Sequence, residues 1–149
     1  MVNPFDPRTA LLAKHAQHVV LIHFPIALFI SAVGFDVLAR WTKRTGIADA
    51  AYFNLLVAAI STIPAMITGL LAWQFQLEGQ SLKDLLRLHL LMACLSTMLI
   101  WLTWWLHFRA RREEKTSCHY LLITEMLGVA AIAITGHLGG FLSGVNLPT

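Results

Sequence analysis

The sequence predicts an all-α integral membrane protein: a four-helix antiparallel bundle forming one domain over 1–149, with both termini on the extracytoplasmic side. Three observations predict it. The 149 residues are 57% apolar and only 13% charged, with a mean hydropathy of +0.66, far from the composition of a soluble domain. The apolar residues gather into four stretches, about 17–41, 51–75, 86–108 and 118–141, each long enough to cross a hydrocarbon core of about 30 Å at about 1.5 Å per residue. The basic residues concentrate in the first and third connections, which lie on one side of the membrane.

The first stretch contains HVVLIHFPIALFI, with His18, His23 and Pro25 at its front. Pro25 lacks an amide hydrogen and leaves the Leu21 carbonyl without its helical donor, so a kink is expected that widens the outer mouth of the bundle. The second stretch carries Pro64 in STIPAMITG and Gly69 one residue after Thr68. The third includes LHLLMACLSTMLIWLTWWL, nineteen residues without Asp, Glu, Lys or Arg. The fourth ends in TGHLGG, where Gly136, Gly139 and Gly140 flank His137. Leu, Ala and Met without two-residue alternation argue for helices over a β-barrel. Short connections leave no room for a second domain.

Seven of the eleven Lys and Arg (Arg40, Lys43, Arg44, Arg109, Arg111, Arg112, Lys115) fall in the first and third connections, against Arg8, Lys14, Lys83 and Arg87 on the other side. The net charge of +3 is therefore read as a topology signal, with anionic-lipid contact added, and not as a nucleic-acid footprint. It places the basic loops in the cytoplasm and both termini outside it. The N-terminus, with two early prolines and Asp6, does not read as a cleaved signal peptide. Cys94 and Cys118 fall at different depths, so no disulfide is expected, and no CxxCH is present for covalent haem attachment. All five Trp residues are read as interfacial belt residues.

Sorted by depth, His18, His23, His89 and His137 converge from three helices on the outer leaflet, whereas His107 and His119 fall on the inner side and His15 precedes the first span. A single intramembrane histidine is ordinarily a hydrogen-bonded packing residue. Several at one level share a burial cost that a bound metal or cofactor would meet. His18 and His23, five residues apart, stand about 140° apart around a helix, which disfavours a chelating pair and gives them different partners. The glycines Gly69, Gly136, Gly139 and Gly140 permit close approach of a helix or of a flat ligand. On the inner side, Asp36 can pair with Arg40 at i+4. Glu125 is read as a structural hydrogen-bonding group, with a proton-linked carboxylate or a quinone-pocket lining as the alternative.

The segment HVVLIHFPIAL resembles the N-terminal signature, approximately His-Pro-x-x-Val-His-Phe-Pro-Ile-Ala-Leu, of a bacterial family of four-helix membrane proteins catalogued as domain of unknown function 2231. Asp36, ITGLLAW, LHLLM and GHLGGFLSGV are similar to further family positions, so the likeness extends over residues 18–145. Val19 departs from the usual proline, and the segment after Gly140 lacks a further aromatic and histidine. Relatives are often encoded beside c-type cytochrome-like or dehydrogenase-like modules, so the resemblance implies an electron-transfer setting with such a protein as partner.

These readings converge on a membrane b-type haem protein, relaying electrons between the quinone pool or a dehydrogenase and an extracytoplasmic carrier. Such a protein needs a slot between helices, axial histidines, small residues and an apolar wall. His23 and His89 are the favoured axial pair, with His18 and His137 as alternative ligands or polar neighbours of the haem. One haem b is expected, since two would crowd the leaflet, and a quinone is a further candidate ligand. The alternatives are copper or zinc handling through the same histidines and a cofactor-free anchor subunit of a respiratory complex or a homo-oligomer. No Ser-His-Asp or Cys-His arrangement points to catalysis by the chain itself.

Overall fold

The computed structural model describes residues 14–76, 84–112 and 118–143. Arg8, Lys83, Lys115 and the segment beyond Ser143 lie outside them, as do the side chains of Lys14, His15 and Cys118. The described chain forms four helices: α1 (Lys14–Thr42), α2 (Thr45–Gln76), α3 (Asp84–Arg112) and α4 (Cys118–Leu142). All four are long and apolar enough to cross a membrane. Helices run on into their polar ends, where side chains reach headgroup and water. α3, for example, opens on Asp84 and closes on Arg109, Arg111 and Arg112, the signs that its dipole favours.

Four contacts fix the antiparallel order. His18, early in α1, meets Ala65, late in α2. His89, early in α3, meets Thr135, late in α4. Arg111, at the end of α3, donates to Asp49 and to the Ala48 carbonyl at the start of α2, and Phe29 of α1 lies against Gly128 of α4. α1 packs chiefly on α2 and α3 chiefly on α4, so the bundle is two hairpins laid side by side. The turn between α1 and α2 is closed by Lys43 in the left-handed region at φ 55°.

Each helix turns one seam inward, and on every helix the seam advances by alternating steps of four and three residues. On α1 it is His18, Ile22, Pro25, Phe29, Ala32 and Asp36; on α2, Ala51, Leu55, Ala58, Thr62, Ala65 and Gly69. On α3 it is His89, Ala93, Ser96, Ile100, Thr103 and His107; on α4, Leu121, Glu125, Gly128, Ile132, Thr135 and Gly139. This is the 3.5-residue period of helices that wrap left-handedly about one another. Phe29, Leu55, Ala58 and Ala59 are fully buried at its centre. The opposite faces are apolar and exposed, as at Ile60, Ile63, Ile67 and Met98, which suits lipid as the outer solvent.

Pro25 and Pro64 both lie inside continuous helices. Pro25 is buried on the seam, whereas Pro64 faces outward. Trp41 and Trp105 are exposed as belt residues are, and Arg109 lies over the Trp105 ring at 5.1 Å. Trp101 instead donates its indole N–H to Thr62 at 3.1 Å and meets Trp104 edge-on, tying α3 to α2.

Candidate functional site

At one end of the bundle the two hairpins part around a cavity of about 620 Å³. That volume lies within the range of about 300–1,000 Å³ usual for cofactor pockets. His18 and His23 of α1, Gly69 of α2, His89 of α3, and Gly136, Gly139 and Gly140 of α4 all line it. The remaining wall is mostly aliphatic, with Trp73 and the seam residues Ile100 and Ile132 among its members. His137 stands outside the cavity on an exposed face of α4, edge-on to Phe141 at 4.9 Å.

Two of the three lining histidines are held across a helix interface, and the third on its own helix. His18 Nδ1 donates across the α1/α2 interface to the Ala65 carbonyl at 3.1 Å, with the Thr68 hydroxyl at 3.4 Å. His89 Nδ1 donates across the α3/α4 interface to the Thr135 carbonyl at 3.2 Å. A carbonyl can only accept, so both rings carry their proton on Nδ1, and the neutral ring keeps its lone pair on Nε2. His23 donates to the carbonyl of Val19 on its own helix at 2.6 Å and is exposed. It sits at the rim, off the seam. The pairing of His23 with His89, drawn from depth alone, thus joins a rim residue to an inward one; His18 and His89 are the two inward residues.

Two of the glycines make room for these imidazoles. A Cβ on Gly69 would stand 2.9 Å from His18 Cε1, and one on Gly139 would stand 3.2 Å from His89 Cε1. At Gly136 a Cβ would meet no protein atom within 4 Å, so this glycine opens wall onto the cavity itself. Close approach is therefore used twice for a neighbouring ring, and once is left to the cavity.

A second polar layer lies at the other end of the seam. His18 to Asp36 and His89 to His107 both span eighteen residues, about 27 Å along a helix. Asp36 pairs with Arg40, as i+4 spacing predicts. Glu125, fully buried, accepts a hydrogen bond from His107 Nε2 at 2.8 Å. His107 is the partner that local sequence could not supply for Glu125, because it comes from the neighbouring helix. The 4-3 seam would have found it: Asp36, His107 and Glu125 occupy seam positions, as do His18 and His89, whereas His23, His119 and His137 do not.

Searches of curated proteins and of solved structures give no match to the chain. A family model does match, over residues 14–145, which takes in all four helices and both polar layers. By that match, the chain belongs to the family described as "Predicted membrane protein (DUF2231)".

Proposed function

We propose that this protein is a b-type haem electron-transfer component of the bacterial cytoplasmic membrane, with haem held in the cavity between its hairpins by His18 and His89. The observation that carries this reading is the shared setting of those two rings: each lines the cavity, and each donates Nδ1–H to a backbone carbonyl of its hairpin partner. Ligating histidines are characteristically oriented in this way, the second nitrogen's hydrogen bond fixing the tautomer and raising the basicity of the first.

The residues present suit the group. The wall is apolar, which excludes water and tunes potential, and Gly136 leaves backbone bare where a planar edge needs space. His18 and His89 would hold the iron, the Ala65 and Thr135 carbonyls would orient the rings, and His23 would stand at the rim. Bound haem supplies one-electron transfer. The protein's own part is to hold two imidazoles rigidly and to keep the site dry.

The basic end, with Arg40, Lys43, Arg44, Arg109, Arg111 and Arg112, faces the cytoplasm by the charge rule. The cavity then opens toward the outer face, where a c-type cytochrome-like carrier or a dehydrogenase exchanges electrons with it and the quinone pool supplies or takes them up.

The test is an absorption spectrum of detergent-purified protein from haem-replete cells, oxidised and then dithionite-reduced, with metal analysis of the same sample. A Soret band with sharp reduced α and β bands is expected, abolished by His18→Ala and by His89→Ala and retained in His137→Ala. A folded, colourless protein overturns the reading. Copper or zinc bound through the same histidines would replace haem by metal handling, and an empty protein would leave a membrane anchor.

A further inference from the structure

The layer at the basic end has no place in haem binding. Asp36, His107 and Glu125 do not line the cavity, and they come from three helices, α1, α3 and α4. All three are buried, and a carboxylate oxygen from each acid and a ring nitrogen of His107 lie within 4.8 Å of one another.

We propose that these three side chains form a binding site for a divalent transition-metal cation, of the zinc class, near the basic end of the bundle. Glu125 is the centre of the argument. Its side chain has no exposed surface, Oε1 is engaged by His107, and Oε2 is buried without a hydrogen-bond partner among the described residues. A carboxylate oxygen in that position needs a cation or a proton. With His107 neutral, Asp36, Glu125 and Arg40 together carry one negative charge more than positive. A divalent ion more than offsets that excess, leaving one positive charge.

The donor chemistry fits a borderline metal. Carboxylate and imidazole are both donors that zinc accepts, and three protein ligands leave a fourth position for water. Two ligands about 2.0–2.2 Å from a tetrahedral ion stand about 3.4 Å apart. The 2.8 Å between His107 Nε2 and Glu125 Oε1 then has to open by about 0.6 Å, the ion taking the place of the shared proton. Arg40 holds Asp36 from outside, as an outer partner orients a ligating carboxylate. The Thr103 hydroxyl, buried and without a partner, lies one helical turn before His107 on the same seam, where it can take up a metal-bound water.

Zinc ion is the probe. The full chain in detergent, stripped with chelator and titrated with Zn²⁺, is expected to bind an ion whose affinity falls at least tenfold in Glu125→Gln and in His107→Ala and is unchanged in His119→Ala. Because Glu125→Gln keeps the side-chain shape, the difference from wild type separates this ion from any held by the histidines at the other end. Zinc X-ray absorption of the wild-type protein supplies a second readout independent of the variants: an oxygen-rich shell with a single imidazole is expected. No bound zinc, a shell of several imidazoles, or equal binding by wild type, Glu125→Gln and His107→Ala would overturn the proposal.

Discussion

His18 and His89 lie on different hairpins and are held in the same way. Each is the first seam residue of the leading helix of its hairpin, and each donates Nδ1–H to a carbonyl of the trailing helix, Ala65 or Thr135. In both cases a glycine four residues beyond that carbonyl, Gly69 or Gly139, admits the ring. No repeat is visible in the residues themselves, yet the two hairpins present equivalent imidazoles to a common cavity. Parallel internal repeats of this kind build sites at the repeat interface in other membrane proteins.

Gly69→Ala is expected to destabilise the protein by about 1–3 kcal/mol, the usual result of overpacking, because its Cβ would lie 2.9 Å from the His18 ring. Gly139→Ala has 3.2 Å to the His89 ring and should cost less. Gly136→Ala meets no protein atom and should gain about 0.5–1 kcal/mol from helix propensity. Thermal unfolding in one detergent ranks the three. Equal stability of all three variants would show that the rings move away freely.

Phe29 and Gly128 meet closely in the interior. Phe29 is fully buried, and a Cβ on Gly128 would stand 2.6 Å from its Cζ. Gly128→Ala should therefore lose about 1–3 kcal/mol through overpacking. Phe29→Leu in the same chain should recover part of that loss, with a coupling of about 0.5–3 kcal/mol, the range of residues in direct contact. Additive losses in the double variant would show that α1 and α4 do not meet through this pair.

The four spans and their order were legible in the sequence, because apolar length is a strong physical requirement for crossing a bilayer. The helix ends were not, since α2 begins at Thr45 and not near residue 51, where polar residues tolerated at the interface break the apolar run. Depth sorting brought His18, His23 and His89 to one cavity but also drew in His137, which shares their level and faces elsewhere. Depth reads one coordinate of a helix, and the seam reads the other. The 3.5-residue period was hidden because hydrophobicity, the usual marker, is blurred here: the seam mixes Ala, Gly, Thr, His, Asp and Glu with large apolar residues such as Phe29, Leu55 and Ile100, while many other large apolar side chains face out.

Trp101→Phe should cost about 0.5–1.5 kcal/mol, the worth of an interhelical hydrogen bond within a membrane. Its indole N–H donates to Thr62 across the α2/α3 interface, where the hairpins meet. Thr62→Val should cost a similar amount. The double variant should cost little more than either alone, a non-additivity measured by unfolding in detergent.

The turn after α1 and the ion pair Arg111–Asp49 respond oppositely. Lys43 holds φ 55° in the turn after α1, a conformation that costs a side chain about 1 kcal/mol and that glycine adopts freely. Lys43→Gly should therefore stabilise the protein by several tenths of a kcal/mol or more, as a glycine cap after a helix does. Arg111 bonds Asp49 at 2.6 Å and the Ala48 carbonyl at 3.1 Å and lies over Tyr52 at 4.4 Å, but both members of the ion pair are exposed. Asp49→Asn, which removes the charge and keeps the shape, should lose less than about 1 kcal/mol, and high salt should erase the difference. Unfolding midpoints of both variants at low and high salt check this. A loss from Lys43→Gly would mean that the lysine side chain, and not the backbone angle, secures the turn.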